Sequence, residues 1–162
     1  VVDDVVRTLG FLCMGSRFRR IGERLQADTQ QIIEEYGIAI QAAQYPFLAA
    51  LDRAGPLTIG ELAQAVGITQ PGATRTVSQL LELGLVDMQA APDDQRRRLI
   101  SLSRKGQELV DYSKQSVWPR ISAAVADLCG DLNGPILAQL AAIEDRLAEA
   151  ALVRRAAKEE TT

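Results

Sequence analysis

Three consecutive arginines, Arg96, Arg97 and Arg98, follow the acidic pair Asp93 and Asp94 in the stretch APDDQRRRLISLSRKG, and Arg104 and Lys105 come soon after. A guanidinium is a permanently charged planar fork of N–H donors, so such a cluster suits anionic oxygens. Upstream, Thr69, Gln70, Pro71, Gly72, Thr74, Arg75, Ser78 and Gln79 crowd hydroxyl, amide and guanidinium groups into one short segment. Those groups can pair with base edges or reach phosphates. Other chemistry has little to work with. The chain contains no histidine, which removes the commonest general base and metal ligand. Its two cysteines, Cys13 and Cys129, are too few and too far apart for a disulfide framework or a zinc site, and an inert thiol is the favoured reading of each. No Gly-rich phosphate cradle follows a strand. No catalytic residue, metal site or cofactor is expected, and the chain does not read as an enzyme.

The formal net charge is −3, which gives the cations their meaning. Thr69 to Gly106 holds six basic and four acidic residues and stands at +2, while the rest of the chain stands at −5. A polyanion responds to the local field of the surface it meets, so an acidic total does not exclude a basic footprint. With 162 residues and 47% of them hydrophobic, one core and a single domain over 1–162 are expected. No apolar run reaches the ~20 residues a membrane span needs. No charged start precedes an apolar leader, so a cytoplasmic location is the expectation.

The elements that must position these side chains are mostly helical. Apolar residues at three-or-four spacing predict a helix from Asp3 to Tyr36, closed by Gly37, and a second from Ala42 to Arg53 bent by Pro46. Between Pro56 and Val86 two short helices meet at a tight turn. Thr58 and Glu61 form a capping-box pair, and Ile59, Leu62, Ala63 and Val66 make a buried stripe. Gly67 turns the chain, Ile68 plugs the corner, Thr69 caps the next helix and Pro71 lies in its first turn. Ala73, Val77, Leu80 and Leu81 face inward, leaving Gln70, Gly72, Thr74, Arg75, Ser78 and Gln79 outward. This pattern is a helix-turn-helix. LVDMQ and RLISLS then form a β-hairpin with the arginines at its tip, Ser103 caps the next helix, and Asp94 is expected to orient the Arg96 guanidinium. Long helices run from Arg104 to about Leu128 and from about Gly134 to Ala157, followed by a frayed tail at 158–162. Arg104 and Lys105 occupy a first turn, where the helix dipole disfavours cations, which suggests an anionic partner.

This order of elements resembles the multiple antibiotic resistance regulator (MarR) family of bacterial winged-helix repressors. LTIGELAQAVGITQPGATRTVSQLLELGLV and DDQRRRLISLSRKG carry the likeness, with Asp94 and Arg96 fitting the family's Asp-x-Arg and LSRKG its Leu-Thr-x-Lys-Gly. Thr76 departs from it, standing where an apolar residue is usual. The resemblance implies a mainly α (α+β) fold, a winged helix-turn-helix lobe at 41–106 with a small hairpin wing, and long dimerisation helices at 1–40 and 107–157. It also implies a homodimeric repressor that binds a pseudo-palindromic double-stranded operator through the residues named above. A small aromatic or lipophilic effector is a further expected partner.

Two of those expectations have a basis in the residues themselves. Leu128, Leu132, Ile136, Leu137, Leu140, Ile143 and Leu147 spread over more than one helical stripe, more apolar surface than a small lobe can cover, so a second copy is expected. Tyr36, Tyr45, Phe47 and Trp118 are candidates for an effector cleft, although aromatics at such spacing are more often core. The competing reading is a winged-helix dimer that binds protein instead of DNA, indifferent to salt and to the loss of Arg96.

Overall fold

The computed structural model describes residues 1–130 and 132–149. The expected run of the last helix to Ala157, the tail at 158–162 and the side chain of Leu147 lie outside the described residues. The chain divides into two units, Val1–Ile121 and Ser122–Thr162.

The first unit opens with α1 (Val5–Thr8), capped by Asp4, whose carboxylate accepts from the Arg7 N–H at 3.1 Å. A 3-10 turn at Gly10–Cys13 follows, then α2 (Met14–Glu35). The single helix expected from Asp3 to Tyr36 is thus broken, because Gly10 sits at φ 55° and leaves the right-handed helical region. The segment after α2 is held by Gln30, whose amide nitrogen donates to the Ile40 carbonyl at 3.0 Å while its oxygen accepts from the Ala42 N–H at 2.7 Å. α3 (Tyr45–Ala54) starts three residues later than the sequence suggested, after a 3-10 turn at Ala42–Gln44. Pro46 therefore falls in its first turn, where a missing N–H costs nothing, and removes no internal hydrogen bond of the helix.

α4 (Ile59–Val66) begins on the reciprocal cap between Thr58 and Glu61. Gly67, at φ 75°, closes the helix in a conformation that strains any residue with a Cβ. Ile68 does not plug the corner, being 41% exposed. The turn closes through backbone instead, with the N–H groups of Gly67 and Ile68 both donating to the Ala63 carbonyl at 2.9 and 3.0 Å. α5 (Gln70–Glu82) starts under Thr69, whose hydroxyl accepts from the Gly72 N–H at 3.3 Å. Ala73, Val77 and Leu80 are buried on its inner face and Leu81 is half-buried. Thr76 satisfies its hydroxyl on the Gly72 carbonyl at 3.2 Å.

The antiparallel hairpin pairs β1 (Val86–Ala90) with β2 (Arg98–Leu102), from Val86 opposite Leu102 to Ala90 opposite Arg98. Ile100 also exchanges backbone hydrogen bonds with Leu57 at 2.9 and 2.7 Å, which pins the hairpin base to the segment before α4. α6 (Arg104–Tyr112) is capped by Ser103, whose hydroxyl accepts from the Gly106 N–H at 3.0 Å and donates to the Gly84 carbonyl at 2.6 Å. Gly106 is buried so tightly that a Cβ there would sit 1.9 Å from the Leu85 carbonyl oxygen. The run from Arg104 is not one regular helix. It widens into a π turn at Ser113–Val117 before α7 (Trp118–Cys129). Pro119 has no N–H to bond the preceding turn, so the ladder loosens there.

Phe47, Ile33, Leu48, Leu62, Leu80, Ile100, Val77, Val110 and Val117 are almost wholly excluded from solvent and form one core beneath the helix-turn-helix and hairpin. Burying each such side chain contributes roughly 1.5–3 kcal/mol, enough together to hold these elements in one arrangement. Near the amino terminus, by contrast, Phe11 and Leu12 are 92% and 81% exposed.

The second unit contains the remainder of α7 and α8 (Ile136–Glu149). Leu128, Leu132 and Leu137 are exposed, and Ile136, Leu140 and Ile143 are half-buried. Among the described residues no helix is long and apolar enough to cross a membrane.

Candidate nucleic-acid interface

The outer face of α5 presents Gln70, Pro71, Thr74, Arg75, Ser78 and Gln79 to solvent, with Gly72 half-buried beside the cap. Their hydrogen-bonding states differ. The Thr74 hydroxyl donates to the Gln70 carbonyl at 3.0 Å and the Ser78 hydroxyl to the Thr74 carbonyl at 3.0 Å. Both oxygens are left as outward acceptors, the polarity that meets a base amino group. The oxygen of Gln79 accepts from the Gln44 amide at 3.1 Å. Arg75 is exposed and, among the described residues, pairs with no carboxylate.

The wing holds its cations in two ways. Arg97 turns back on the protein, 3.6 Å from Glu61 and 3.9 Å from Asp93. Glu61 is suited to receive it, since hydrogen bonds from the Thr58 backbone and hydroxyl hold its carboxyl below the usual carboxylate range. Arg96 and Arg98 are exposed and, among the described residues, without an ion-pair partner. Asp94 does not orient the Arg96 guanidinium as expected. Its carboxylate accepts from the Arg96 backbone N–H at 2.9 Å, because a carboxylate two residues ahead in a tight turn reaches main chain before it reaches a guanidinium. It therefore shapes the loop, together with the Arg97 N–H donating to the Asp94 carbonyl at 3.1 Å and the Ala91 N–H donating to the Arg97 carbonyl at 2.8 Å.

Arg104 and Lys105 have partners inside the protein. Arg104 bonds Glu108 at 3.2 Å, and the Lys105 ammonium donates to the Leu83 carbonyl at 2.9 Å, at the carbonyl end of α5 where a helix dipole favours a cation. These contacts account for two cations in a first turn without an external anion.

The four aromatic candidates are divided between core and edge. Phe47 and Tyr45 are only 1% and 7% exposed. Tyr45 packs edge-to-face on Trp118 with ring centroids 5.5 Å apart, and its hydroxyl bonds Ser113 at 2.9 Å. Burial pushes the Tyr45 phenol up, partly offset by that bond. Tyr36 lies edge-on to Tyr112 at 6.3 Å, beneath the Arg120 guanidinium at 5.7 Å. A cleft of about 310 Å³ opens elsewhere, between Ile38, Ile40, Leu83, Leu85 and Leu109, with Lys105 also lining it. None of the four aromatics lines it.

Sequence reasoning passed over Gln44, which reaches α5 from the turn before α3, and the second partner of Glu61. The capping box marked Glu61, but its contact with Arg97 joins residues far apart in sequence.

Comparison with known proteins agrees with this geometry. Residues 37–97 match the model of the MarR family. An uncharacterized HTH-type transcriptional regulator of Mycobacterium leprae is 32% identical over 77 residues, 48% of this chain and 54% of that protein. An HTH-type transcriptional regulator of Mycobacterium tuberculosis matches to the same extent. The chain thus spans about half the length of the curated relatives it matches. Among solved structures, the transcriptional repressor CouR bound to a 23-mer DNA duplex superposes with a TM-score of 0.74 at 23% identity, covering 89% of this chain and 99% of that one. A mutant MarR from E. coli complexed with operator DNA gives 0.71 at 20% identity, covering 90% and 99%. Bordetella bronchiseptica BpsR, whose DNA binding is regulated by 6-hydroxynicotinic acid, gives 0.68 at 24% identity, covering 84% and 93%. At these identities the structures establish likeness of fold. Residues 37–97, which hold the helix-turn-helix with the first strand and loop of the hairpin, are thus similar to the MarR family.

Proposed function

We propose that this protein is a sequence-specific double-stranded DNA-binding transcriptional regulator. In this reading it acts as a homodimeric repressor on a pseudo-palindromic operator and is released by a small-molecule effector. The observation that carries the proposal is that Arg75, Arg96 and Arg98 have no ion-pair partner among the described residues, on a helix-turn-helix and wing whose other cations are engaged within the protein. Exposed guanidinium groups beside the outward acceptors of Thr74 and Ser78 offer phosphate and base contacts together. Arg75 then reads a base edge or phosphate in the major groove, and Arg96 and Arg98 meet the backbone and the adjoining minor groove.

Dimerisation is supported by Phe11, Leu12, Phe18 and Ile21 in the first unit and, separately, by Leu128, Leu132 and Leu137 in the second, all exposed in one chain. Two-fold pairing sets two recognition helices about one DNA turn apart. Effector release is supported by the DNA-binding regulation of BpsR by an organic acid. The test is titration of the protein against genomic duplex fragments at several salt concentrations. A linear fall of log affinity with log salt is expected, and a flat line overturns the proposal.

A further inference from the structure

Gln44 is 4% exposed and lies at the end of the turn that leads into α3, yet its amide reaches the recognition helix. Its orientation follows from a main-chain partner. A backbone N–H can only donate, and that of Gln41 lies 2.9 Å from one terminal atom of Gln44, so that atom is the oxygen. The Gln44 nitrogen then faces α5. The atom of Gln79 that it meets at 3.1 Å must accept, so it is the Gln79 oxygen. The segment carrying Gln44 is itself fixed by Gln30 of α2, which bonds the Ile40 carbonyl and the Ala42 N–H on either side of Gln41.

The geometry points to Gln44 as a positioning residue that fixes Gln79 as a hydrogen-bond donor toward DNA. The Gln79 oxygen is drawn toward α3, and the two protons on its nitrogen remain for an outside partner. That partner must be an acceptor: a phosphate oxygen, N7 of guanine or adenine, guanine O6, or thymine O4. Side-by-side pairing with adenine, which needs oxygen and nitrogen together on the base edge, is denied to a Gln79 held this way. This inference rests on the DNA-binding reading and assigns one residue its polarity within it.

The test is a double-mutant cycle on the full-length protein, using a duplex selected by the wild type from a randomised pool and read by fluorescence anisotropy. Gln44→Glu keeps an oxygen for the Gln41 N–H but offers Gln79 an acceptor, which turns the Gln79 nitrogen inward and its oxygen toward DNA. Affinity should fall about tenfold, the loss of one hydrogen bond and its replacement by a mismatched acceptor. Gln44→Leu removes the tether without a new charge and should cost about threefold through the freed amide. On a Gln79→Ala background the Q44L cost should vanish and the Q44E cost should shrink to what its new charge alone exacts, because no amide is left to orient. A Gln44 variant that costs as much with Ala at position 79 as with Gln acts only on the fold, and overturns the inference, as does wild-type affinity in both Q44E and Q44L. Should Q44E fail to fold by circular dichroism, the Q44L arm of the cycle decides alone. Failure of the wild type to select any duplex strikes the DNA-binding reading itself, and this inference with it.

Discussion

Replacing Gly106 by alanine tests the junction on which wing and recognition helix both depend. The new Cβ would lie 1.9 Å from the Leu85 oxygen and 2.9 Å from its carbonyl carbon, where ordinary contact begins at 3.4 Å. The start of α6 must therefore withdraw by about 1.5 Å, the difference between those contact distances. The withdrawal carries with it the 3.0 Å hydrogen bond from the Ser103 N–H to the same Leu85 oxygen. Loss of that bond costs about 1 kcal/mol and the overpacking about 1–3 kcal/mol, against a gain of about 1 kcal/mol in helix propensity. The net expectation is a destabilisation of about 1–3 kcal/mol, read by urea unfolding at fixed protein concentration. Gly15→Ala is the matched control. Gly15 lies in α2 with nothing within 4 Å of its would-be Cβ, so that variant should gain up to about 1 kcal/mol. If G106A is as stable as the wild type, the reasoning from the Leu85 contact is wrong.

Arg96→Ala and Arg75→Ala should each weaken duplex binding in anisotropy titrations. R96A should also flatten the salt slope by about one unit, and R75A should relax base preference if it meets a base edge. Thr58→Ala removes the hydroxyl that caps α4 and its bond to the Glu61 carboxylate, leaving only the backbone N–H to hold that group, so unfolding should ease by about 1 kcal/mol. Acid should act on Asp52, whose carboxyl is held below its ordinary value of 3.8 by hydrogen bonds from Lys114 and then Gln107. A depressed carboxyl stabilises the fold above that ordinary value and loses the contribution as pH falls through the lower folded one. The expected drop in stability below about pH 4 should be shallower in Asp52→Asn, compared by denaturation across pH.

Much of the lobe was legible because its signals are local. The Thr58–Glu61 box, the Thr69 and Ser103 caps and the positive φ at Gly67 each involve residues within four positions, and each stands where the sequence puts it. The hairpin was equally plain, with its polar loop between two short apolar runs. What escaped the sequence depends on distance through space or on competition between equals. The break at Gly10 and the late start of α3 turn on where a helix yields, which a periodic apolar pattern does not record. Lys105 looked like a cation waiting for an anion, and only the fold brings the Leu83 carbonyl to it. Asp94 was read with the right neighbour but the wrong atom. Gln44 offered no signal at all, since an amide gains meaning from what it faces.

The π turn at Ser113–Val117 fixes a length as well as a shape. Each residue in a helix advances the side chains by about 100°, so one residue more or fewer there would rotate Trp118 a quarter-turn or more off the edge of Tyr45. Ile121, packed on the same core, would swing with it. Spacing in that stretch is thus under tighter control than residue identity: exchanging Gln115 for another polar side chain leaves the phase intact, whereas deleting it does not.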